Sequence, residues 1–548
     1  MKKQLVYLLT GWLMCGMGLQ ARAQVEPLFT YKISRDEACN RWVESQMKQM
    51  NLREKIGQLF IYTIAPDRSK RNLALLKNVV HTHKVGGLLF SGGKLDNQAL
   101  LTNQAQKMAD VPLMITFDGE WGLSMRLRGT PVFPKNMVLG CIQDDRLIYE
   151  YGQEMARQCR ELGVQVNFAP VADVNINPQN PVINVRSFGE NPLLVADKVI
   201  AYASGLESGR VLSVAKHFPG HGDTDVDSHK ALPVLPFTRE RLDSVELYPF
   251  RKLIHAGLGG VMVGHLQVPV FEPIGKLPSS LSRNVVYTLL TEKMAFKGLI
   301  FTDALAMKGV SSAQKVCLQA LKAGNDVVLA PRDVKKEIDY VVEAVKKGEF
   351  TEEEIDERCR KVLLFKYAMG LNRKPVVRLS GLERRINTPH TRDLIRRLNL
   401  AAVTVLNNEK GVLPIHPDVK KVAVLTVGKA KELEAFTNEL KKYVEVHTFE
   451  LGKQMPDSLQ QKLRDSLSAY RRIIVPVNEI RLAPYQSFFA KFAPQVPVVY
   501  AFFTPAKLML QIHRAISNAS SVVLGHTDSD EVQEQIAALL FGKAAANG

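Results

Sequence analysis

Short apolar runs alternate with amphipathic stretches along the chain from about residue 50 to residue 332. The amphipathic stretches, such as 146–162 and 311–323, carry apolar residues at the spacing of one helix face. The apolar runs have the length and composition of buried β-strands. They lie at 56–63, 85–90, 112–117, 164–170, 213–217, 260–264, 298–302 and 326–329. Eight successive strand–helix units predict an α/β fold, a (β/α)8 barrel of the TIM type.

A second group of apolar runs follows a polar, basic segment at residues 376–392, in which Gly381 and Pro389 interrupt any regular pattern. The composition of that segment predicts a linker. The later runs lie at 403–406, 422–427, 444–449, 473–477, 498–503 and 522–524. We therefore predict a barrel domain at 24–375, the linker, and a smaller open-sheet α/β sandwich domain at 393–548.

The N-terminus has the pattern of a targeting segment. Lys2 and Lys3 precede an apolar run at 5–19, and an A-x-A cleavage site ends at Ala23. This order is typical of a secretory signal peptide, which we predict at residues 1–23. We therefore expect export across the inner membrane, to the periplasm or the extracellular space. A stable membrane insertion is not expected, because the apolar run is short for a bilayer span.

The chain has 548 residues and a formal net charge of +17, from 72 Lys and Arg against 55 Asp and Glu. Removal of Lys2, Lys3 and Arg22 with the signal peptide lowers this charge to +14. The basic residues are spread through both domains without a recognition motif, so we expect no nucleic-acid partner. Of the six cysteines, five remain after cleavage, an odd and scattered set that argues against a disulfide framework. The sequence makes no prediction of the oligomeric state.

The densest polar stretch lies at residues 216–229 and has the sequence KHFPGHGDTDVDSH. Its glycines and its proline predict a loop after the fifth barrel strand. Five of its side chains are possible metal ligands: His217, His221, Asp223, Asp227 and His229. Three interpretations are open from the residue types: a solvated loop, a metal site, or an acid–base site in which Asp227 orients His229.

Polar side chains also end several of the predicted strands: Asp118, Asp173, His217, His265 and Asp303. In a parallel barrel, the C-terminal ends of the strands form the face that carries the active site. A carboxylate at the end of an apolar strand is costly to bury without a partner, so Asp303 is either a helix N-cap or a nucleophile in the barrel mouth. Two further motifs are weak alone: Asp118-Gly119-Glu120 followed by Arg126, and RSFG at 186–189.

Together and in this order, these motifs resemble the β-N-acetylglucosaminidases of glycoside hydrolase family 3. The stretch at 216–229 is similar to the acid/base loop of that subgroup, and the resemblance extends to LREKIGQLF, NFAPVADVN, VRSFGENP and AGNDVVLAP. It implies that Asp303 is the catalytic nucleophile, His229 the general acid/base and Asp227 its dyad partner. It implies sugar binding by a further set of residues: Asp118, Arg126, Arg186, Lys216, His217 and His265.

The function implied by the resemblance is that of an exported, retaining exo-β-N-acetylglucosaminidase. It would remove terminal β-linked N-acetylglucosamine from peptidoglycan fragments or related oligosaccharides, with no metal and no other cofactor. Three alternatives stay open: a β-glucosidase or β-xylosidase of the same family, an N-acetylglucosaminide phosphorylase, and a catalytically silent saccharide-binding barrel. The sequence departs from the subgroup at Trp121 and Leu123, so Trp121 is either a sugar-stacking platform or a core residue. The family's second domain often continues past an element like that at 541–543, so the chain is either short of a final strand or part of a longer protein.

Overall fold

A computed structural model describes residues 37–227, 231–310, 313–408 and 411–548 of the chain. Its first part is an eight-stranded parallel sheet whose strands follow one another around a barrel in sequence order. These strands are β1 Phe60–Ile64, β2 Gly87–Phe90, β4 Met114–Phe117, β6 Val166–Asn167, β7 Leu212–Phe218, β8 Gly260–Val263, β9 Leu299–Thr302 and β10 Val328–Leu329. Two short strands, β3 Gly93–Lys94 and β5 Leu127–Arg128, form a separate parallel pair.

The barrel closes between its last strands and its first strand. β10 pairs with β1, and a parallel bridge joins Phe301 of β9 to Val327, just before β10. All eight strands match the apolar runs of the sequence, so the predicted α/β fold with a TIM-type barrel is confirmed. One boundary differs: the run at 56–63 begins inside a helix, Leu52–Gly57, because a capping box of Asn51 and Glu54 starts a helix there.

Helices connect the barrel strands and cover their outer side. They are Glu37–Gln49, Leu52–Gly57, Lys70–Lys77, Asn78–Thr82, Leu95–Met108, Asn136–Leu139, Asp145–Glu161, Pro192–Ser208, Arg239–Ser244, Tyr248–His255, Asn284–Lys293, Val316–Ala323, Val334–Lys346 and Glu352–Ala368. Several begin where a polar side chain caps the first turn. Asp144, Asn191, Asp333 and Thr351 each accept a hydrogen bond from a backbone N–H of the helix that follows.

The second sheet has six strands in the order β11, β16, β15, β14, β12, β13. They are β11 Thr404–Asn407, β12 Lys421–Thr426, β13 Glu445–Glu450, β14 Ile473–Val477, β15 Val498–Phe502 and β16 Ser521–Leu524. Only the β11–β16 pair is antiparallel among these strands. Alternate residues of β12 enter different cores, Ala423 and Leu425 on one face and Val422 and Val424 on the other.

Both faces of the second sheet are therefore covered, as predicted for a sandwich. The helices of this part are Glu434–Leu440, Asp457–Leu467, Gln486–Lys491, His513–Ser517 and Asp530–Leu540. None of the helices in the described segments has the length and apolar composition needed to cross a membrane. The predicted signal peptide at 1–23 lies outside the described residues.

The segment predicted as a linker, 376–392, contains the helix Leu382–Ile386 and the start of the helix Pro389–Ala401. Leu382 and Ile386 are buried in the same core as the barrel. Arg157 of the barrel helix Asp145–Glu161 donates to the carbonyl oxygens of Arg385 and Ile386, at 2.6 and 3.2 Å. The segment is thus packed against the barrel rather than extended between the two domains.

Candidate active site

The C-terminal ends of the barrel strands gather several of the side chains singled out by the sequence. Asp118 directly follows β4, Lys216 and His217 lie near the C-terminal end of β7, and Asp303 directly follows β9. Two hydrogen bonds from Asn167 at the end of β6 fix the turn after Asp118, since its Oδ1 accepts from Gly119 N–H at 2.9 Å and its Nδ2 donates to Gly119 O at 3.2 Å. The barrel topology therefore brings residues far apart in sequence to one mouth.

Lys216 directs its ammonium group between two carboxylates. Its Nζ lies 3.0 Å from Asp118 Oδ1 and 2.7 Å from Glu120 Oε1. The side chain is only 3% exposed. Burial alone would lower the pKa of Lys216, but the charges of Asp118 and Glu120 outweigh it and raise the pKa above its usual value. Lys216 is therefore a fixed cation.

Glu120 binds the second cation of the site. Arg186 Nε donates to Glu120 Oε2 at 2.9 Å and Arg186 Nη2 donates to Oε1 at 2.7 Å, a bidentate pair. Burial would raise the pKa of Glu120, but the charges and hydrogen bonds of Arg186 and Lys216 hold it far below its usual range. The same pairing with Glu120 holds the pKa of Arg186 above its usual value against the effect of burial.

Asp118 connects a third cation to this network. Arg126 Nη2 donates to Asp118 Oδ2 at 3.0 Å, while Lys216 occupies the other carboxylate oxygen. The network is therefore continuous from Arg126 through Asp118, Lys216 and Glu120 to Arg186. Sequence reasoning expected four of these five residues to bind sugar; it noted Glu120 only as part of the Asp118-Gly119-Glu120 motif and gave it no role. A signal for a role of Glu120 was present in the sequence, because a carboxylate three residues beyond a buried strand needs a cationic partner.

His217 joins the network at its other side. Its Nε2 lies 3.3 Å from Arg186 Nη2, and its Nδ1 lies 2.7 Å from Asp173 Oδ2. Asp173 is fully buried and also accepts the backbone N–H groups of His217 and His221. Burial would raise the pKa of Asp173, but its interactions with His217 hold the pKa below the usual value. Sequence reasoning noted Asp173 at a strand end and gave it no role in the site.

Asp303 lies at the end of β9, and its environment keeps it ionised. Its Oδ1 accepts a hydrogen bond from Ala304 N–H at 2.7 Å. No helix begins at Ala304 in the described segment 303–310, so Asp303 is not a helix N-cap. Burial would raise its pKa, but electrostatic interactions with His217 and His265, the Ala304 hydrogen bond and the charge of Lys216 lower it.

His265 supports the backbone beside Asp303. Its ring is fully buried, with Nδ1 at 2.7 Å from Ser280 Oγ and Nε2 at 3.1 Å from the carbonyl oxygen of Ala304. Since a carbonyl accepts only, Nε2 carries a proton, and in the neutral ring Nδ1 then accepts from the Ser280 hydroxyl. The hydrogen bonds of His265 thus fix the chain immediately after Asp303.

The loop after β7 is described as far as Asp227, while His229 lies outside the described residues. Arg241 Nη2 donates to Asp223 Oδ2 and to Glu246 Oε1, both at 2.9 Å, and so ties the start of the loop to the helix Arg239–Ser244. His221 Nδ1 lies 2.8 Å from Thr224 Oγ1 within the loop. Burial and the neighbouring His217 lower the pKa of His221 to about 4, so its ring is neutral at ordinary pH.

Four of the five possible metal ligands of this loop, those other than His229, lie in the described part of the chain. Within the described residues, no group of three or more His, Cys, Asp and Glu side chains is placed to hold a metal ion. The Nδ1 atom of His217 contacts Asp173, and the Nδ1 atom of His221 contacts Thr224.

Trp121, a residue at which the sequence departs from the subgroup, is partly exposed, and Lys135 Nζ lies 5.6 Å from its ring centroid.

A carboxylate nucleophile candidate beside a ring of polar and charged groups, at the mouth of a (β/α)8 barrel, is an arrangement suited to glycosidic bond cleavage. The model of the Glycosyl hydrolase family 3 N terminal domain matches residues 51–365. The chain belongs to this family. The family resemblance inferred from the sequence, and with it the glycoside hydrolase class, is confirmed.

Several curated proteins are similar to the chain. Beta-hexosaminidase A of Pseudoalteromonas piscicida is 30% identical over 391 residues, which are 65% of this chain and 65% of that protein. Beta-N-acetylglucosaminidase/beta-glucosidase of Cellulomonas fimi is 28% identical over 388 residues, 68% of each chain. Beta-hexosaminidase LpqI of Mycobacterium tuberculosis is 34% identical over 331 residues, 57% of this chain and 82% of that protein.

Solved structures show the same fold over nearly the whole chain. A glycoside hydrolase family 3 beta-N-acetylglucosaminidase from Paenibacillus sp. str. FPU-7 is 29% identical with a TM-score of 0.70, covering 91% of this chain and 98% of that one. The beta-glucoside phosphorylase BglX has a TM-score of 0.74 at 21% identity, covering 94% of this chain and 96% of that one. The likeness to BglX concerns the fold alone.

Proposed function

We propose that the chain is a retaining exo-β-N-acetylglucosaminidase that removes a terminal β-linked N-acetylglucosamine residue. The observation that carries this proposal is the position of Asp303, a partly buried carboxylate held ionised at the end of β9, where Lys216 and His217 interact with it electrostatically. The names of the similar proteins support the choice of sugar, since several of them are β-hexosaminidases.

In the first step, a carboxylate oxygen of Asp303 attacks the anomeric carbon and the glycosidic C–O bond breaks. A proton from the His229 imidazolium passes to the leaving oxygen, and a glycosyl-enzyme ester forms. Asp227 would favour the charged imidazolium before the transfer. The low pKa of Asp303 supports this step, because the attacking oxygen must be deprotonated.

In the second step, His229 removes a proton from a water molecule, and the water oxygen attacks the anomeric carbon. The ester bond to Asp303 breaks, and the sugar is released with its original configuration. An imidazole titrates near 6.5 when unperturbed, so a single histidine can serve as acid and then as base near neutral pH. Asp118, Arg126, Arg186 and Lys216 would hold the sugar hydroxyls during both steps through charge-assisted hydrogen bonds.

The sugar preference and the acceptor are tested in one assay. Purified protein is supplied with 4-nitrophenyl N-acetyl-β-glucosaminide or 4-nitrophenyl β-glucoside, each with and without phosphate, and the sugar product is identified. We expect faster release from the N-acetylglucosaminide and free N-acetylglucosamine as product. Faster cleavage of the glucoside would favour the β-glucosidase alternative, and a sugar phosphate would favour the phosphorylase.

Replacement of the nucleophile tests the role of Asp303. Asp303→Asn keeps the shape of the side chain but removes the charge, so we expect turnover to fall by roughly 1,000-fold or more. Asp333→Asn is a matched control, because Asp333 follows the next barrel strand and caps a helix, a role that asparagine fills equally well. Full turnover by the Asp303 variant would exclude Asp303 as the nucleophile.

The role of His229 is tested through the leaving group. His229→Ala should impair cleavage of an alkyl N-acetylglucosaminide far more than cleavage of the activated 4-nitrophenyl glycoside, because the activated leaving group needs little protonation. Equal losses on both substrates would contradict an acid role.

We further propose that the protein is exported and acts on peptidoglycan fragments or related oligosaccharides. The sequence pattern at 1–23 supports export. The N-terminal residue of the protein recovered from the periplasm or the medium tests it, with Gln24 as the expected first residue. Release of N-acetylglucosamine from purified muropeptides, compared with chitin oligosaccharides, tests the substrate.

A further inference from the structure

Asp173 is a fully buried carboxylate behind the sugar-facing network. It lies just beyond Val171, whose backbone pairs with Lys216 of β7. Asp173 Oδ1 accepts from His221 N–H at 2.7 Å, and His217 N–H lies 3.1 Å from Oδ1 and 3.2 Å from Oδ2. Oδ2 lies 2.7 Å from His217 Nδ1. One carboxylate therefore holds the backbone of two histidines and the ring of one.

These contacts define which ring nitrogen of His217 carries the proton. An ionised carboxylate can only accept, so Nδ1 must donate to Asp173. The guanidinium of Arg186 can only donate, and its Nη2 lies 3.3 Å from Nε2. In the neutral ring, only the Nδ1–H tautomer satisfies both neighbours.

We propose that Asp173 is a positioning residue, which fixes His217 in the Nδ1–H tautomer and thereby keeps Arg186 in its place beside Glu120. Arg186 is held by three acceptors: the carboxylate of Glu120, the carbonyl oxygen of Val182 at 3.1 Å and the lone pair of His217 Nε2. If the tautomer changed, Nε2–H would face the N–H groups of Arg186, and two donors would repel each other. The consequence for catalysis rests on the proposed function, whereas the tautomer itself does not.

An asparagine at position 173 would favour the other tautomer of His217. The side-chain amide has one oxygen and one NH2 group in place of two oxygens. If the NH2 group replaced Oδ1, it would face His221 N–H, a backbone donor that cannot change. If it replaced Oδ2, it would face His217 Nδ1, which can lose its proton to Nε2. The second orientation has the lower cost, so we expect Asp173→Asn to convert His217 to the Nε2–H tautomer.

The first test is spectroscopic and needs no substrate. The full chain is labelled with 15N-histidine, and two-bond 1H–15N correlations distinguish the two neutral tautomers. His217→Gln identifies the His217 signals by their loss. We expect the Nδ1–H pattern in the unmodified protein and the Nε2–H pattern in Asp173→Asn. An Nε2–H pattern in the unmodified protein would overturn the proposal, even if the variant did not fold.

The second test is kinetic. With 4-nitrophenyl N-acetyl-β-glucosaminide as substrate, Asp173→Asn should lower kcat/KM by about 10- to 100-fold, the effect of one or two disturbed charge-assisted hydrogen bonds. Because Asp173 acts through His217, Asp173→Asn in a His217→Gln background should lower kcat/KM further by less than about threefold. Fully additive losses would overturn the proposal.

Asp326→Asn is the matched control. Asp326 is also a buried aspartate that accepts a backbone N–H, that of Ile300 at 2.8 Å, but it precedes β10 at the opposite end of the barrel. It should lose stability without a change in KM or in the His217 signals. If neither the unmodified protein nor any variant cleaves an aryl glycoside, the proposed function fails, while the spectra still decide the role of Asp173.

Discussion

Two lysines at opposite ends of the barrel are almost completely buried and behave in opposite ways. Lys216, at the C-terminal ends of the strands, lies between the carboxylates of Asp118 and Glu120, and its pKa is raised. Lys366 lies at the N-terminal ends, where its Nζ donates to the neutral amide oxygen of Gln58 at 2.7 Å. Burial lowers the pKa of Lys366 to about 7.

The comparison shows that burial alone does not decide whether a side chain stays charged. At the C-terminal end, each cation of the network has a carboxylate partner, so the charges persist in a desolvated site. At the N-terminal end, Glu207 resembles Lys366, since burial raises its pKa to about 7 although Ser213 and Gly259 donate to it. Lys216 and Glu120 thus stay charged because each has a charged partner, whereas Lys366 and Glu207 have their hydrogen bonds with neutral groups.

The largest effect is expected from removal of Lys216, the central cation of the charged network. Lys216→Met would leave the partly buried Asp118 and the buried Glu120 with one cation fewer. We expect the variant to lose about 3–5 kcal/mol of unfolding free energy. Its kcat/KM should fall by about 100-fold or more, since two charge-assisted hydrogen bonds are lost. Denaturant unfolding and steady-state kinetics measure the two effects.

A lysine buried elsewhere provides the control for Lys216. Lys198 Nζ lies 2.6 Å from Asp145 Oδ1, and its side chain is 5% exposed, but it is on the outer helix Pro192–Ser208. Lys198→Met should lower stability and leave KM unchanged. If both variants lost activity equally, the role of Lys216 would be structural only.

The regular part of the molecule could be predicted from its sequence, because buried parallel strands leave a strong apolar signal. All eight barrel strands coincide with apolar runs, and Asp118, His217 and Asp303 lie at the strand ends where they were expected. The helix at 382–386 was missed, because its polar, basic sequence hides the two buried residues that anchor it.

The second layer of the site was harder to predict than the first. The sequence does not show which groups Glu120 and Asp173 hold, because their partners lie 44 to 96 positions away: Arg186 and Lys216 for Glu120, and His217 for Asp173. Only the closed barrel brings such partners together. The family resemblance named the groups expected to touch sugar, and the geometry adds the carboxylates that hold those groups.

A smaller effect, on stability alone, is expected from Lys366 at the N-terminal ends of the strands. Because the pKa of Lys366 falls from 10.5 in the unfolded chain to about 7 in the folded one, the unfolded state binds the extra proton between these values. The unfolding free energy therefore rises with pH across this window, and below pH 7 the full cost of burying the charge is present. Lys366→Met should remove this cost and stabilise the protein by a few kcal/mol, at most about 5 kcal/mol, at pH 6.

The gain from Lys366→Met should shrink between pH 7 and pH 10 in denaturant unfolding. Lys361→Met is the matched control on the same helix, since Lys361 Nζ lies 2.6 Å from Asp326 Oδ2. That variant should be destabilised at every pH where the aspartate is ionised. A destabilised Lys366→Met protein at pH 6 would mean that its bond to Gln58 outweighs the burial of the charge.

The smallest effect is expected at Glu207, where the unfolding free energy depends on pH in the opposite direction from that at Lys366. The pKa rises from 4.5 in the unfolded chain to about 7 in the folded one, so the folded state binds the extra proton between these values. Stability therefore falls as the pH rises through this window. Glu207→Gln keeps an oxygen for Ser213 and Gly259 but carries no charge, so it should stabilise the protein by up to about 3 kcal/mol at pH 8. At pH 4 the two proteins should unfold alike, and a gain of equal size at both pH values would show that charge is not the cause.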